Sequence, residues 1–509
     1  MVKGIFHHKL FRLEYAPIWI LLLSFLLRLP VYLIHTFGYW YDEIIFLSIA
    51  KLPFSQMFDT LLAEPKPPGA YVLFHYLPTD NALTTRLALM VAAYTLTGIA
   101  LWYGYATRVI QHYKLQLGLA LFISSFSFLR LTSYIKPYEV VGVTLTIFFL
   151  FVALTVVKNR STNASNRHVF LLHTIVFAAL FFNYIAYLFI MISLAVITIV
   201  LRKRKLTLWL FALQLIIIGL YTVFFAYEQS HLIRERSIWQ FEINNSLLYV
   251  LEWHLFGFFN PTFVTDIATG IFLWCLFQSA YHRRNFSEKW FYVGITITLT
   301  FFLIIGYKLN LLTQYRYSYS ILLILSVLAG WGLYSFKTKQ AITVILAIFF
   351  FLGIFVHARN YRQIEEHYQK TTSLVSELLK QNADVGVLSN IPLMSYVMKM
   401  EYFINNESFI PVIPYLGGIL PTTYISKELL LTNLPVLTIE NREKHIIDQL
   451  QKSEQRNFLF LHYGYQISTY YLDPDQALLD VLINNCHLSL FRSSNFVGVY
   501  EFDTCKFNE

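Results

Sequence analysis

Charge is what this sequence lacks most. Only 14% of its 509 residues are Asp, Glu, Lys or Arg, against 56% hydrophobic residues, and the mean hydropathy is +0.52. A soluble domain carries roughly 25% charged residues, so this set cannot cover a water-facing surface. That excludes a soluble enzyme, a disordered scaffold and a nucleic-acid binder, even with a formal net charge of +9. Acidic residues are scarcest in the first part of the chain. Residues 1–359 hold 13 Asp and Glu against 28 Lys and Arg, whereas the remainder holds 17 against 11, so the two parts carry +15 and −6. Cysteine is nearly absent. Three residues are too few for a disulfide framework. Cys486 and Cys505 flank two β-rich runs, and the sequence leaves a bridge and two free thiols equally open.

What is present is a series of apolar runs. Crossing roughly 30 Å of hydrocarbon takes about 20 apolar residues. About eleven such runs occur, near 16–35, 84–106, 117–133, 138–157, 169–183, 185–200, 206–226, 263–281, 290–307, 317–335 and 341–358. The pair 169–183 and 185–200 is short and separated mainly by Phe182, Asn183 and Tyr184. The expected fold class is a polytopic α-helical membrane protein. A transmembrane domain spans 1–359, and a C-terminal α/β domain outside the cytoplasm spans 360–509.

Orientation follows from the bias of Lys and Arg toward cytoplasmic loops. Counting spans alternately, one side collects Lys3, Lys9 and Arg12, then Arg108 and Lys114, then Lys158, Arg160 and Arg167. The same side collects Arg202 to Lys205, then Arg283, Arg284 and Lys289, then Lys337 and Lys339. That side is expected to be cytoplasmic, which sends the tail outside. The first run has no small-residue cleavage site and reads as an anchor.

The informative polar residues face the other way. The first outer loop, 36–83, is long, aromatic and too patterned for disorder, with amphipathic stretches at Ile44–Leu52 and Phe54–Leu62. It opens on Tyr41-Asp42-Glu43. A carboxylate pair at a membrane edge can supply a general base and a second acceptor, or can simply be solvated. Next comes Glu64-Pro65-Lys66-Pro67-Pro68, with Tyr71 and His75 following. The prolines hold Lys66 in an extended segment, to meet an anion or to snorkel. Lys136-Pro137-Tyr138-Glu139 forms a short outer turn, and Tyr315-Arg316-Tyr317 begins a late span. Arg316 between tyrosines can bind a phosphate through its planar fork or sit in an aromatic belt. Basic residues are disfavoured on this side, so Lys66, Lys136 and Arg316 together call for an anionic substrate. The second large outer loop, 227–262, holds His231 and His254 among carboxylates, without a recognisable metal spacing.

Taken in order, these segments resemble the GT-C fold of polyprenyl-phosphate-sugar-dependent glycosyltransferases, closest to the protein O-mannosyltransferase and lipid A aminoarabinose transferase branch. The resemblance rests on Asp42-Glu43, on Lys66-Pro67-Pro68 with Tyr71 and Leu73, on Lys136-Pro137-Tyr138, and on Arg316-Tyr317 leading to Gly330-Trp331-Gly332. It covers roughly residues 10–335. Gly69-Ala70 stands where a leucine usually follows the prolines, and Lys136 stands where arginine is commoner. The resemblance implies an inverting transfer from a polyprenyl-phosphate sugar to an acceptor hydroxyl on a lipid, glycan or protein. Asp42 is then the base, and Glu43 orients the acceptor or Asp42. Lys66, Lys136 and Arg316 bind the donor phosphate, while Tyr41, Tyr71, His75, Tyr138, Tyr315 and Tyr317 line the substrate. A monophosphate leaving group implies no obligatory metal, with a divalent cation as the alternative. A bacterial inner membrane is the expected location. Two other functions share parts of this pattern: a flippase for lipid-linked sugars, and a ligase or polymerase of surface polysaccharide.

The tail changes pattern. Arg362–Lys380, Pro392–Phe403 and His445–Lys452 have helical spacing, Val385–Leu388 and Phe458–Tyr463 read as strands, and Leu488–Phe491 with Phe496–Phe502 reads as a hairpin.

Overall fold

The structure is a computed structural model. It describes residues 13–34, 41–62, 67–77, 82–107, 113–132, 137–158, 166–200, 205–221, 223, 251, 255–256, 263–282, 296–300, 304, 315–336, 338–381, 386–389, 458–463, 477–493 and 497–506. The expected helices Pro392–Phe403 and His445–Lys452, the loop 227–262 and most of the run 290–307 lie outside the described residues.

The chain forms two compact units. The first comprises 1–34, 64–70 and 86–361; the second comprises 35–63, 71–85 and 362–509.

Helices dominate the first unit: α1 (Ala16–Ile34), α5 (Ala82–Ala106), α6 (Tyr113–Ser124), α7 (Phe126–Leu131), α8 (Pro137–Lys158), α9 (Asn166–Phe182), α10 (Tyr184–Val200), α11 (Lys205–Tyr221), α12 (Phe263–His282), α13 (Tyr315–Leu333) and the first part of α14 (Lys339–Gln381). Five of the described helices are long and apolar enough to cross a membrane, and five shorter apolar helices accompany them. The run 117–133, read as one span, is in fact broken. Ser125 caps α7, its side chain accepting from the backbone N–H of Phe128 at 3.3 Å. The composition change near Asn360 leaves the backbone unbroken, because α14 continues for 43 residues.

In lipid, apolar side chains gain nothing by leaving their solvent, so helices associate through close backbone approach and internal hydrogen bonds. Both devices are present. A methyl group on Gly330 would strike the backbone of Gly118 in α6, one on Gly332 the carbonyl of Cys275 in α12, and one on Gly353 the carbonyl of Ser124. On α11 the buried residues are polar, Thr207 and Gln214, and Gln214 donates to the carbonyl of His173 at 3.0 Å. Arg28, fully buried in the first span, donates to the hydroxyls of Tyr32 (2.5 Å), Tyr94 (2.8 Å) and Thr132 (2.6 Å) and to the Leu129 carbonyl (2.8 Å). A guanidinium at membrane depth is costly unless so surrounded. One side chain thereby ties α1 to α5 and to the α7 end.

The second unit contains α2 (Tyr41–Ala50), α3 (Phe54–Leu62), most of α4 (Gly69–Tyr76), the rest of α14, α15 (Ala477–Asn485) and a four-stranded sheet. The strands are β1 (Gly386–Ser389), β2 (Phe458–Tyr463), β3 (His487–Ser493) and β4 (Val497–Asp503), in the order β1-β2-β4-β3. β1 pairs parallel to β2, with Gly386 opposite Phe458, and the remaining pairs are antiparallel. The hairpin β3–β4 has the expected position, with an irregularity between Leu488 and Leu490. Helix α15 ahead of it is an addition to the sequence reading. Phe460, Leu482, Val499 and Phe502 are buried within this unit, and Cys486 and Cys505 are joined in a disulfide.

Candidate functional site

The segments that follow three of the four motifs expected to face outward come together in the first unit, around a residue that sequence reasoning treated only as a separator. Pro67, Pro68, Gly69 and Ala70 are all buried. Proline fixes φ and suits the residues just before a helix, so α4 begins at once with Gly69. A Cβ at Gly69 would stand 2.6 Å from the Phe181 ring and 2.8 Å from its carbonyl oxygen. The segment after Lys66 is therefore laid directly on the last turn of α9. This accounts for the glycine where the resemblance expects leucine: a side chain there has no room.

Two residues beyond Phe181, α9 stops and α10 starts, with Asn183 between them. The Asn183 side-chain oxygen accepts from the N–H of Ala186 at 2.9 Å, an N-cap for α10. Its amide donates to the carbonyl of Tyr138, also at 2.9 Å. Tyr138 is in the first turn of α8, two residues after Lys136. Gly142, one turn further along α8, makes the approach possible. A Cβ on it would lie 2.6 Å from Asn183 Nδ2 and 2.6 Å from the Tyr319 hydroxyl.

Tyr319 brings in the third motif. It is fully buried, one turn into α13 from Arg316. Glu139, in the first turn of α8, is itself buried. Beside the break, the hydroxyls of Tyr184 and Tyr221 bond at 2.6 Å. The segments after Lys66, after Lys136 and after Arg316 are thus neighbours. Lys66 and Lys136 lie outside the described residues, as do the side chains of Tyr315, Arg316 and Tyr317, whose backbone is helical.

The carboxylate pair belongs to the second unit. Tyr41 and Asp42 occupy the first turn of α2, their side chains outside the described atoms. Peptide dipoles favour an anionic side chain at that end of a helix. Glu43 is fully buried. The following turn carries Phe46, whose ring centroid is 4.6 Å from that of Tyr71 and 5.2 Å from that of Phe74. Tyr71 is buried against it. His75 Nδ1 lies 2.9 Å from the carbonyl of Ala50 at the end of α2, and Lys51 Nζ donates to the carbonyl of Leu77 at 2.5 Å. His75 thus secures one end of the helix whose other end bears Asp42. Among the described residues no group of three or more His, Cys, Asp or Glu is arranged to hold a metal ion.

Sequence reasoning missed Asn183, Gly142 and Arg28 as working residues. Asn183 did leave a trace, as the polar residue between two runs each too short to be a comfortable span.

Neither a family model nor a curated protein matches the sequence. Among solved structures the chain is similar to ArnT from Cupriavidus metallidurans, crystallised bound to undecaprenyl phosphate. The identity is 10%, the match covers 94% of this chain and 97% of that one, and the TM-score is 0.50. At that identity the likeness speaks for the fold. This chain shares the polytopic helical fold of that structure.

Proposed function

We propose that the protein is an integral-membrane inverting glycosyltransferase, moving a sugar from a polyprenyl-phosphate donor to an acceptor hydroxyl at the outer face of the bacterial inner membrane. The observation that carries this reading is the meeting of the Pro67–Gly69, Tyr138–Gly142 and Arg316–Tyr319 segments around Asn183. Each segment adjoins a basic residue on the side where the positive-inside bias disfavours one. A structure of the same fold that holds undecaprenyl phosphate supports a lipid phosphate as the anion.

In this reading Asp42 takes the proton of the acceptor hydroxyl as its oxygen attacks the anomeric carbon. The bond from that carbon to the phosphate oxygen breaks, with inversion, and the polyprenyl phosphate departs. Lys66, Lys136 and Arg316 meet the charge that accumulates on it. Glu43 orients Asp42 or the acceptor, and Tyr41, Tyr138, Tyr315 and Tyr317 contribute to the walls of the site. A monophosphate leaving group can be met by basic side chains, without a metal. The N-terminus is assigned to the cytoplasm and the tail to the oxidising exterior, an assignment supported by the Cys486–Cys505 bridge.

The test is transfer in proteoliposomes from a panel of radiolabelled polyprenyl-phosphate sugars, with wild type beside Asp42→Asn. Turnover by wild type, lowered roughly a hundredfold to ten-thousandfold in the variant with donor binding retained, is expected. Movement of lipid between leaflets without transfer would make the protein a flippase. Near-normal transfer by Asp42→Asn would remove Asp42 as the base.

A further inference from the structure

We propose that Leu73, Tyr76 and Leu77, with Phe54 beside them, form a membrane-contact surface: they insert into the lipid interface on the side where the chain between α1 and α5 emerges. The inference stands independently of the donor reading above.

Helix α4 is apolar on both sides, with His75 its one polar side chain. Tyr71 and Phe74 are buried, both of them against Phe46 of α2. Leu73 and Tyr76, three residues apart and so on one face, are 46% and 75% exposed, and Leu77 just past the helix is 41% exposed. A helix apolar all round belongs in a core or in lipid, and one side of this helix is outside any core. Phe54, itself exposed, extends the stripe. Its ring centroid is 6.0 Å from that of His75, which is 4.9 Å from that of Tyr76. Helix α3 behaves differently. Its amphipathic pattern alone would lay it on a membrane, yet Met57 and Leu61 are fully buried in the protein.

The helix ends argue for lipid rather than water. In water the last carbonyls of a helix bond solvent, whereas in lipid each needs a partner within the protein. Here the two helices serve each other. His75 donates from Nδ1 to the Ala50 carbonyl at the end of α2, at 2.9 Å. Lys51, just past α2, donates to the Leu77 carbonyl just past α4, at 2.5 Å. Lys51 is exposed beside the apolar stripe, the setting in which a lysine snorkels.

Chain length keeps this surface near the bilayer. Leu77 precedes the span Leu83–Ala106 by six residues, at most about 20 Å of extended chain. Helices α2, α3 and α4 have 10, 9 and 8 residues, each too short to cross. Both ends of the segment therefore meet the same face of the membrane.

The test uses the full chain in nanodiscs, with nitroxide labels on Leu73→Cys and Tyr76→Cys in a Cys275→Ala background. Phe170→Cys, exposed on an apolar helix, is the lipid reference, and Gln56→Cys, exposed on α3, the water reference. Oxygen partitions into lipid and a nickel chelate into water. Labels at 73 and 76 are expected to relax with oxygen more than with nickel, as at 170, and the label at 56 to show the reverse. A nickel response at 73 and 76 would overturn the inference. So would a response to neither reagent, which would mean that protein covers the stripe. If the labelled variants fail to fold, the wild type is irradiated in phosphatidylcholine vesicles whose lipid carries a diazirine near the glycerol. Adducts on residues 69–77 are then expected, and their absence alongside adducts on α9 would overturn the inference.

Discussion

The two compact units are held together by different physics. In the membrane unit the closest contacts are backbone against backbone, at Gly118, Gly330, Gly332 and Gly353. Buried polar groups such as Arg28 and Gln214 fasten one helix to the next. In the second unit the sheet is filled by Phe460, Leu482, Val499 and Phe502 and tied by a covalent bridge. The difference follows from the solvent. Lipid offers no reward for burying leucine against leucine, so specificity there depends on closeness and on hydrogen bonds. Water does offer that reward, and a small sheet that falls short of it gains from a cross-link.

The largest effect that breaks this comparison is expected at Gly330. Gly330→Leu would force α6 and α13 apart along their seam, costing more than about 3 kcal/mol. Loss of monodisperse protein on detergent extraction is the measurement. Next comes Cys486→Ser. With the cysteines separated by 19 residues, loss of the bridge costs about 3 kcal/mol, confined to the second unit. Hydrogen exchange would show faster opening of β3 and β4, with α6, α12 and α13 unchanged. The smallest is Gln214→Leu. Intramembrane hydrogen bonds contribute about 0.6 kcal/mol each on average, so a shift of only a few degrees in unfolding temperature is expected. A loss at Gln214 as large as at Gly330 would mean that polar fastening, rather than closeness, dominates the membrane unit.

Much of this fold can be read in the sequence because hydropathy over 20 residues is a strong signal. The apolar runs reappear as helices wherever their residues are described, and β2 has the predicted limits. What escapes is local interruption and long-range partnership. The break at Ser125 is hidden inside an apolar run, because one capping hydroxyl scarcely alters mean hydropathy. The length of α14 is hidden by the opposite effect, since a change from apolar to charged composition does not interrupt helical φ and ψ. Arg28 finds Tyr94, Leu129 and Thr132 at separations of 66, 101 and 104 residues, which periodicity cannot reveal. The site divides in the same way. Its basic and aromatic motifs stand out because they run against the charge bias expected on the side to which the alternation of spans assigns them. Asn183 and Gly142 do not, because their work is to hold other residues. Gly69 is the instructive case: a departure from the family pattern in sequence is a packing requirement in space, imposed by Phe181.

Lys66, Lys136 and Arg316, far apart in sequence, are proposed to serve one lipid phosphate. The most direct measurement compares the affinities of undecaprenyl phosphate and undecaprenol for wild type, Lys66→Ala, Lys136→Ala and Arg316→Ala in nanodiscs. Each variant is expected to weaken binding of the phosphate at least tenfold, as loss of a charge-assisted contact should, while undecaprenol binds as before. Wild-type affinity for the phosphate in all three variants would contradict the claim.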